Sequence, residues 1–378
     1  MLQLLLGGSG SGKTTLLYQR IRARAEKGEK SILLVPEQFT SSTEGRIYRE
    51  LGDALSGMVE SFSFTSLAEK ILSTEGGAAV QTLSDAGRAV LVRRALEELQ
   101  DNVHYYHRHR RSAAFCQMAA QTIDELKSAG LSGRQLAQLA GACGAESSKL
   151  SELALIFQGY ETLLARSGMD PSDRLELAGA RLEEALARHS LPEFLRNRAV
   201  FIDEFDTFNA PKKRLLGALL AALPSVTVAL CDDGAPLLPG DLSLFSGAKQ
   251  VAAQLRQLAR KNGAEVAVPQ LLRKDLRHRN APGLAAVAEL LETGSCTADA
   301  PAGEVRLFAA PSREEEARAA AGAIRRLMRQ GVRCGKIAVV CRDIAKYRAA
   351  VRYEFRMAEI PLSVSYTHLR AHETELHL

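Results

Sequence analysis

Gly7, Gly12, Lys13 and Thr14 stand at the G-x-x-x-x-G-K-[ST] spacing within MLQLLLGGSGSGKTT, directly after an apolar run. Glycines at these positions permit a tight, partly positive-φ backbone that turns amide N–H groups inward around phosphates. A lysine after them reaches the β and γ oxygens, and the following hydroxyl takes Mg²⁺. The spacing therefore predicts a nucleoside triphosphate site formed by Gly7, Gly8, Ser9, Gly10, Ser11, Gly12, Lys13, Thr14 and Thr15, with Mg²⁺ on Thr14. A second chemistry-bearing pair, Asp203-Glu204, follows the apolar run Ala199-Val200-Phe201-Ile202. It has the form of a Walker B site, in which Asp203 holds Mg²⁺ through water and Glu204 polarises the attacking water. The bland alternative for the pair is an acidic helix N-terminus after a buried strand.

Three further constellations are weaker. His104-Tyr105-Tyr106-His107-Arg108-His109-Arg110-Arg111 combines positive charge with aromatic rings, as a single-strand binding surface does, and also resembles a solvated helix junction. Its histidines have no carboxylate or cysteine at ligand spacing, which favours a surface role over a metal site. Asp170-Pro171-Ser172-Asp173 offers two carboxylates but reads as a turn and helix cap. Arg342-Asp343 reads equally as a ligand-facing pair or a capped helix.

The elements that must position these residues follow the apolar pattern. Leu2 and Leu4 to Leu6 read as a buried strand and Thr15 to Tyr18 as the start of a helix whose N-terminal dipole favours an anion. Ser31 to Val35 and Met58 to Phe64 read as two more strands, with Glu37 to Thr40 a ligand-facing strand-end loop. From about Ser84 to His189 helical spacing takes over, as in Leu153, Ile156, Phe157, Tyr160 and Leu163. Strand character resumes at Ala199 to Ile202 and Val226 to Leu230. After a Thr293 to Gly303 linker, Val305 to Phe308 and Lys336 to Val340 are expected as strands, each followed by a helix. An α/β domain cannot close on two strands, so a second domain is expected to be begun and not finished.

Composition sets the outer limits. The chain has 378 residues, of which 46% are hydrophobic, enough to bury real cores over two or three domains. No apolar run reaches the ~18–20 residues that span a bilayer, and Met1 stands one residue before the first strand, so a cytoplasmic protein without a leader is expected. Cys116, Cys143, Cys231, Cys296, Cys334 and Cys341 include no C-x-x-C pair and read as reduced thiols. A net charge of +5 means that any nucleic-acid contact must come from a local patch.

The order of these features resembles one family. The N-terminal phosphate loop, LLVPEQFTSSTEG, SFSFTSLAEKIL, IDELKSAGLS, IDEFDTFNAPKK and REEEARAAAGAIRRLM with KIAVVCRDIAKYRAAVRYEF and IPL together resemble the B subunit of the AddAB helicase-nuclease, over residues 1 to about 363. The resemblance implies an α/β, RecA-like P-loop parallel sheet, laid out as a superfamily-1-like domain 1A (1–83 and 191–300) with an all-helical 1B insertion (84–190) and the start of a domain 2A (301–364). It implies ATP with Mg²⁺ at Gly12, Lys13, Thr14 and Asp203, and carries Glu204 over only with reservation. It also implies a bacterial machine that processes double-strand breaks for homologous recombination, a helicase-nuclease A-subunit partner, and binding of DNA, especially single-stranded. The family's nuclease domain and iron-sulfur cluster belong to the full-length member, not to these residues. In the alternative reading the chain is a non-catalytic DNA-scanning scaffold, with the partner as the motor. Residues 365–378, containing SYTHLRAHET, do not continue the family pattern and are expected to be a non-native tail.

Overall fold

The computed structural model describes residues 1–76, 81–142, 147–295 and 304–363, so the expected tail at 365–378 lies outside the described residues. In chain order the first part contains β1 (Leu2–Gly7), α1 (Lys13–Ala25), β2 (Ser31–Leu34), α2 (Thr40–Leu51), α3 (Asp53–Ser56), β3 (Val59–Phe62) and α4 (Phe64–Glu75). A helical run follows, with α5 (Asp85–Glu98), α6 (Ala113–Ser128), α7 (Gly133–Ala140), α8 (Ser147–Ser167) and α9 (Pro171–Ala187). The sheet then resumes through β4 (Ala199–Ile202), α10 (Ala210–Ala222), β5 (Ser225–Cys231), α11 (Ser246–Lys261), β6 (Gln270–Leu272) and α12 (Pro282–Thr293).

All six strands are parallel, in the order β3-β2-β4-β5-β1-β6. Parallel strands need crossover connections, which put helices on both faces and require apolar residues throughout. The two faces divide by strict alternation. Leu5, Leu33, Phe201 and Ala229 pack with Leu17, Tyr18 and Ile21 of α1 and Ile47 of α2. Their neighbours Leu4, Leu6, Ile32, Leu34, Val200, Ile202, Val226 and Val228 pack with α4, α9, α10 and α11. This α/β architecture is consistent with the RecA-like reading.

Between β3 and β4 the chain is helical, but it serves two cores. Helices α5, α6, α7 and α8 enclose their own apolar cluster, which includes Val92, Leu96, Ile123, Phe157 and Tyr160. Helix α9 instead contributes Leu175, Ala178 and Leu182 to the core beneath the sheet. Side chains fix several helix starts: Ser63 and Ser66 form a capping box on α4, and the Ser84 hydroxyl accepts from the Gly87 amide on α5.

The described residues 304–363 belong to a unit separate from the preceding one. In it α13 (Arg313–Arg329) and α14 (Ile344–Met357) pack through Ala321, Ile324, Phe355 and Ile360. The strands expected at 305–308 and 336–340 do not form: among the described residues neither segment has a ladder partner. Leu307 is fully exposed and Val340 is 91% exposed; Ile337 packs on the α13–α14 core, but neither segment has a strand beside it among the described residues. Asp343 caps α14, accepting from the Ala345 and Lys346 amides, which is the capped-helix alternative for that residue.

Candidate nucleotide-binding site

The phosphate loop leaves the sheet at the C-terminal end of β1, where Gly7 pairs in register with Cys231 of β5. Gly10 (φ 79°) and Gly12 (φ 90°) adopt left-handed backbone, and Gly12 is the residue from which α1 starts. No side chain caps α1 and no acidic residue lies in its first turn, so its leading amides remain for an anion. Ser11 Oγ is buried without a hydrogen-bond partner among the described residues. A Cβ on Gly7 would lie 2.5 Å from that oxygen and 2.6 Å from the Leu272 carbonyl, so the loop closes only around glycine there. Lys13 Nζ lies back across the loop and donates to the carbonyls of Gly7 (2.7 Å) and Gly8 (2.8 Å).

Asp203 sits at the end of β4, one strand removed from β1 across β5. Its amide donates to the Leu34 carbonyl (3.1 Å), and its Oδ1 accepts from the Glu204 amide (3.0 Å). Burial pushes the Asp203 carboxyl above the usual carboxylate range, against the opposing pull of the Thr14 hydroxyl, the Glu204 amide, Arg46 and Lys13. The residue is 7% exposed and makes no ion pair among the described residues. Glu204 follows in left-handed backbone (φ 64°) with an exposed side chain. Its carboxyl is also held up, first by desolvation and then by the Asp203 charge. Asp203 and Thr14 therefore meet at one site, as the spacing predicts, while Glu204 stands at its rim.

Other residues at this site are not legible in the linear motif. The segment after β6 lies over the loop: the Leu276 amide donates to the Gly10 carbonyl (3.0 Å), and an Arg277 guanidinium nitrogen donates to Ser9 Oγ (3.0 Å). A Cβ on Gly10 would approach Asp275 Oδ1 to 3.0 Å, and one on Gly8 would approach Glu292 Oε1 of α12 to 2.8 Å. Arg46 on α2 stacks over the Tyr18 ring of α1 (5.0 Å), and its charge acts on both Asp203 and Glu204. The basic run Arg273-Lys274-Asp275-Leu276-Arg277-His278-Arg279 is the one sequence signal that points to part of this set.

The remaining constellations lie elsewhere. The His104 to Arg111 stretch connects α5 and α6 on the helical layer, with a short 3₁₀ turn at His107–His109. Asp170 occupies the N-cap position of α9, with Pro171 in the first turn, but its side chain does not cap. It accepts from the Tyr160 hydroxyl (2.6 Å) and Lys127 Nζ (2.7 Å) instead, because a buried carboxylate gains more from a charged and a phenolic donor than from one amide. Among the described residues no group of His, Cys, Asp or Glu side chains is arranged to hold a metal ion by itself, and Cys116, Cys231, Cys334 and Cys341 are free thiols. No described helix is long and apolar enough to cross a membrane.

Comparison with known proteins gives the same direction. The family described as "ADDB, N-terminal" matches residues 4–288. Similar curated proteins include the B subunit of the ATP-dependent helicase/deoxyribonuclease of Desulforudis audaxviator, 34% identical over 95% of this chain and 31% of its own length. The proteins of the same name from Symbiobacterium thermophilum (32%, covering 98% of this chain and 33% of the relative) and Moorella thermoacetica (33%, covering 96% and 32%) are comparable. The chain thus spans about a third of the length of these relatives. On the family match over most of its residues, this chain belongs to the AddB family.

Proposed function

We propose that this chain is the ATP-binding N-terminal region of a helicase-nuclease subunit that processes double-strand DNA breaks for homologous recombination, working with an AddA-like partner and with single-stranded DNA. The observation that carries the reading is the meeting of an uncapped α1, an orphaned Ser11 Oγ and a buried Asp203 without an ion pair among the described residues, at the C-terminal end of the sheet. That set fits Mg-ATP: each group has an unmet need that a phosphate or a divalent cation satisfies. ATP with Mg²⁺ supplies the phosphoanhydride and its counter-charge when bound. Lys13 would exchange the Gly7 and Gly8 carbonyls for phosphate oxygens, Thr14 and Asp203 would hold Mg²⁺, and Arg277 would donate from above the loop. Membership of the family supports the helicase-nuclease context.

Lys13→Ala should abolish Mg-ATP binding in calorimetry while preserving the circular dichroism spectrum, since among the described residues the ammonium hydrogen-bonds the loop carbonyls alone. Wild-type affinity in a folded variant would refute the assignment. A second reading, in which ATP binding is structural and the partner subunit is the motor, is favoured by Glu204, whose left-handed backbone leaves its side chain exposed at the rim of the site. Turnover separates the two. On that reading this chain alone stays below about 1 s⁻¹ with single-stranded DNA present, the low end of typical enzyme rates.

A further inference from the structure

The connection between α5 and α6 is built around a buried acid. Glu152 of α8 is 9% exposed, and its two carboxylate oxygens accept from three successive backbone amides: His104 (2.9 Å), Tyr105 (2.8 and 2.9 Å) and Tyr106 (3.1 Å). Burial works against the charge, and the three amide donors more than offset it, so the carboxyl sits below its usual range. Successive amides turned toward one anion hold the backbone in a single shape. The carboxylate faces inward, and most of the side chains from His104 to Arg111 are left outside.

From His104 to Arg111 those side chains contain no acid, and the one acid of the connection, Asp101, precedes them. Tyr105 is 52% exposed, with its ring edge-on to Tyr106 (4.9 Å) and the Lys149 ammonium over its face (5.3 Å). Tyr106 and His109 rest on Phe115 (5.3 and 5.7 Å), which anchors the other end. Elsewhere on the same helical layer arginines are neutralised, as in Arg88 with Asp85, Arg93 with Glu97 and Arg94 with Glu98. Arg108, Arg110 and Arg111 make no ion pair among the described residues, and Arg110 reaches only the neutral Gln100 amide oxygen (3.4 Å). Cations left unpaired beside an exposed ring match the backbone charge and the base faces of a single strand.

We infer that residues 104–111 form a preshaped single-stranded nucleic-acid binding surface, separate from the nucleotide site, with Glu152 as its positioning residue. The inference rests on the proposed DNA-binding role and adds where the strand is held. Tyr105 provides a stacking face. Arg108, Arg110 and Arg111 meet phosphates, and Glu152 fixes the spacing between ring and charges by holding the backbone.

The positioning role makes a prediction of unusual sign. Glu152→Gln removes a negative charge, so a patch acting through charge alone would bind DNA more tightly. A glutamine has one acceptor oxygen where the carboxylate has two, and turns an NH₂ toward the amides, so a preshaped surface would bind more weakly. Binding of labelled oligothymidine by the full chain, followed by fluorescence anisotropy across salt, reads both. Glu152→Gln is expected to weaken binding while Mg-ATP affinity and helical content are retained, and Tyr105→Ala to weaken it roughly tenfold. Replacing Arg108, Arg110 and Arg111 with Gln should flatten the salt slope by about 2, at about 0.7 per phosphate contact. Tighter binding by Glu152→Gln would overturn the positioning role. An unchanged slope in the triple variant, or a duplex bound as tightly as the single strand, would overturn the surface while leaving DNA binding by the protein in place. No binding by the wild-type chain would overturn both.

Discussion

Two buried carboxylates, Asp203 at the C-terminal end of the sheet and Glu152 in the helical layer, are exposed to similar degrees, 7% and 9%, yet are treated oppositely by the fold. Glu152 receives backbone amides at both oxygens and is held below its usual range. Asp203 is given the adjacent Glu204 amide and the Thr14 hydroxyl, with the Arg46 and Lys13 charges at a remove, and is held above it. A protein that can satisfy a buried acid internally uses it as structure. One left short of partners, beside a phosphate loop, marks where a cation is expected.

The largest effect that could break this contrast is on stability. Glu152→Ala leaves three amides without their acceptor and should cost about 2–3 kcal/mol, seen as a lower midpoint in urea with an unchanged slope. A cost within ~0.5 kcal/mol would place Glu152 among ordinary surface acids.

A smaller effect of opposite sign is expected at Asp203. The folded-state pKa of Asp203 is raised above its ordinary 3.8, so its favourable contribution is complete below about pH 4 and is lost as pH rises through the folded value. Asp203→Asn should therefore match wild type in acid and exceed it at neutral pH, by about 1–3 °C in Tm. For Glu152, whose pKa is lowered, the contribution is present above its ordinary 4.5 and disappears as pH falls through the folded value. Replacing it with Gln should cost stability at neutral pH, with the difference closing in acid. Parallel pH profiles for the two variants would remove the distinction between them.

How much of this was legible in the sequence depended on the distance over which residues cooperate. Strands β1, β2, β4 and β5 announce themselves as continuous apolar runs because both faces are covered, and the phosphate loop is local. β6 has only three residues, Gln270–Leu272, too few for a periodic signal, and it pairs with a strand at the other end of the sequence. The same separation hides the cover of the loop, since Arg277 meets Ser9 across 268 residues. Val305 to Phe308 carried a strand pattern, but pattern alone supplies no neighbour to pair with. Glu152 gave no signal because its partners are backbone amides, which no residue type announces. Asp170 sat where a cap belongs, and only the packing of α6, α8 and α9 shows that Lys127 and Tyr160 draw its carboxylate away.

The central claim, that Asp203 is the acid left waiting for a cation beside an ATP-binding loop, is tested most directly by calorimetric titration of ATP into wild type and Asp203→Asn, each with and without Mg²⁺. The wild-type chain should bind ATP at least about tenfold more tightly with Mg²⁺ than in its absence, and the variant should bind equally in both. A variant that keeps the full Mg²⁺-dependent gain would contradict the claim, as would a wild-type chain whose ATP affinity does not respond to Mg²⁺.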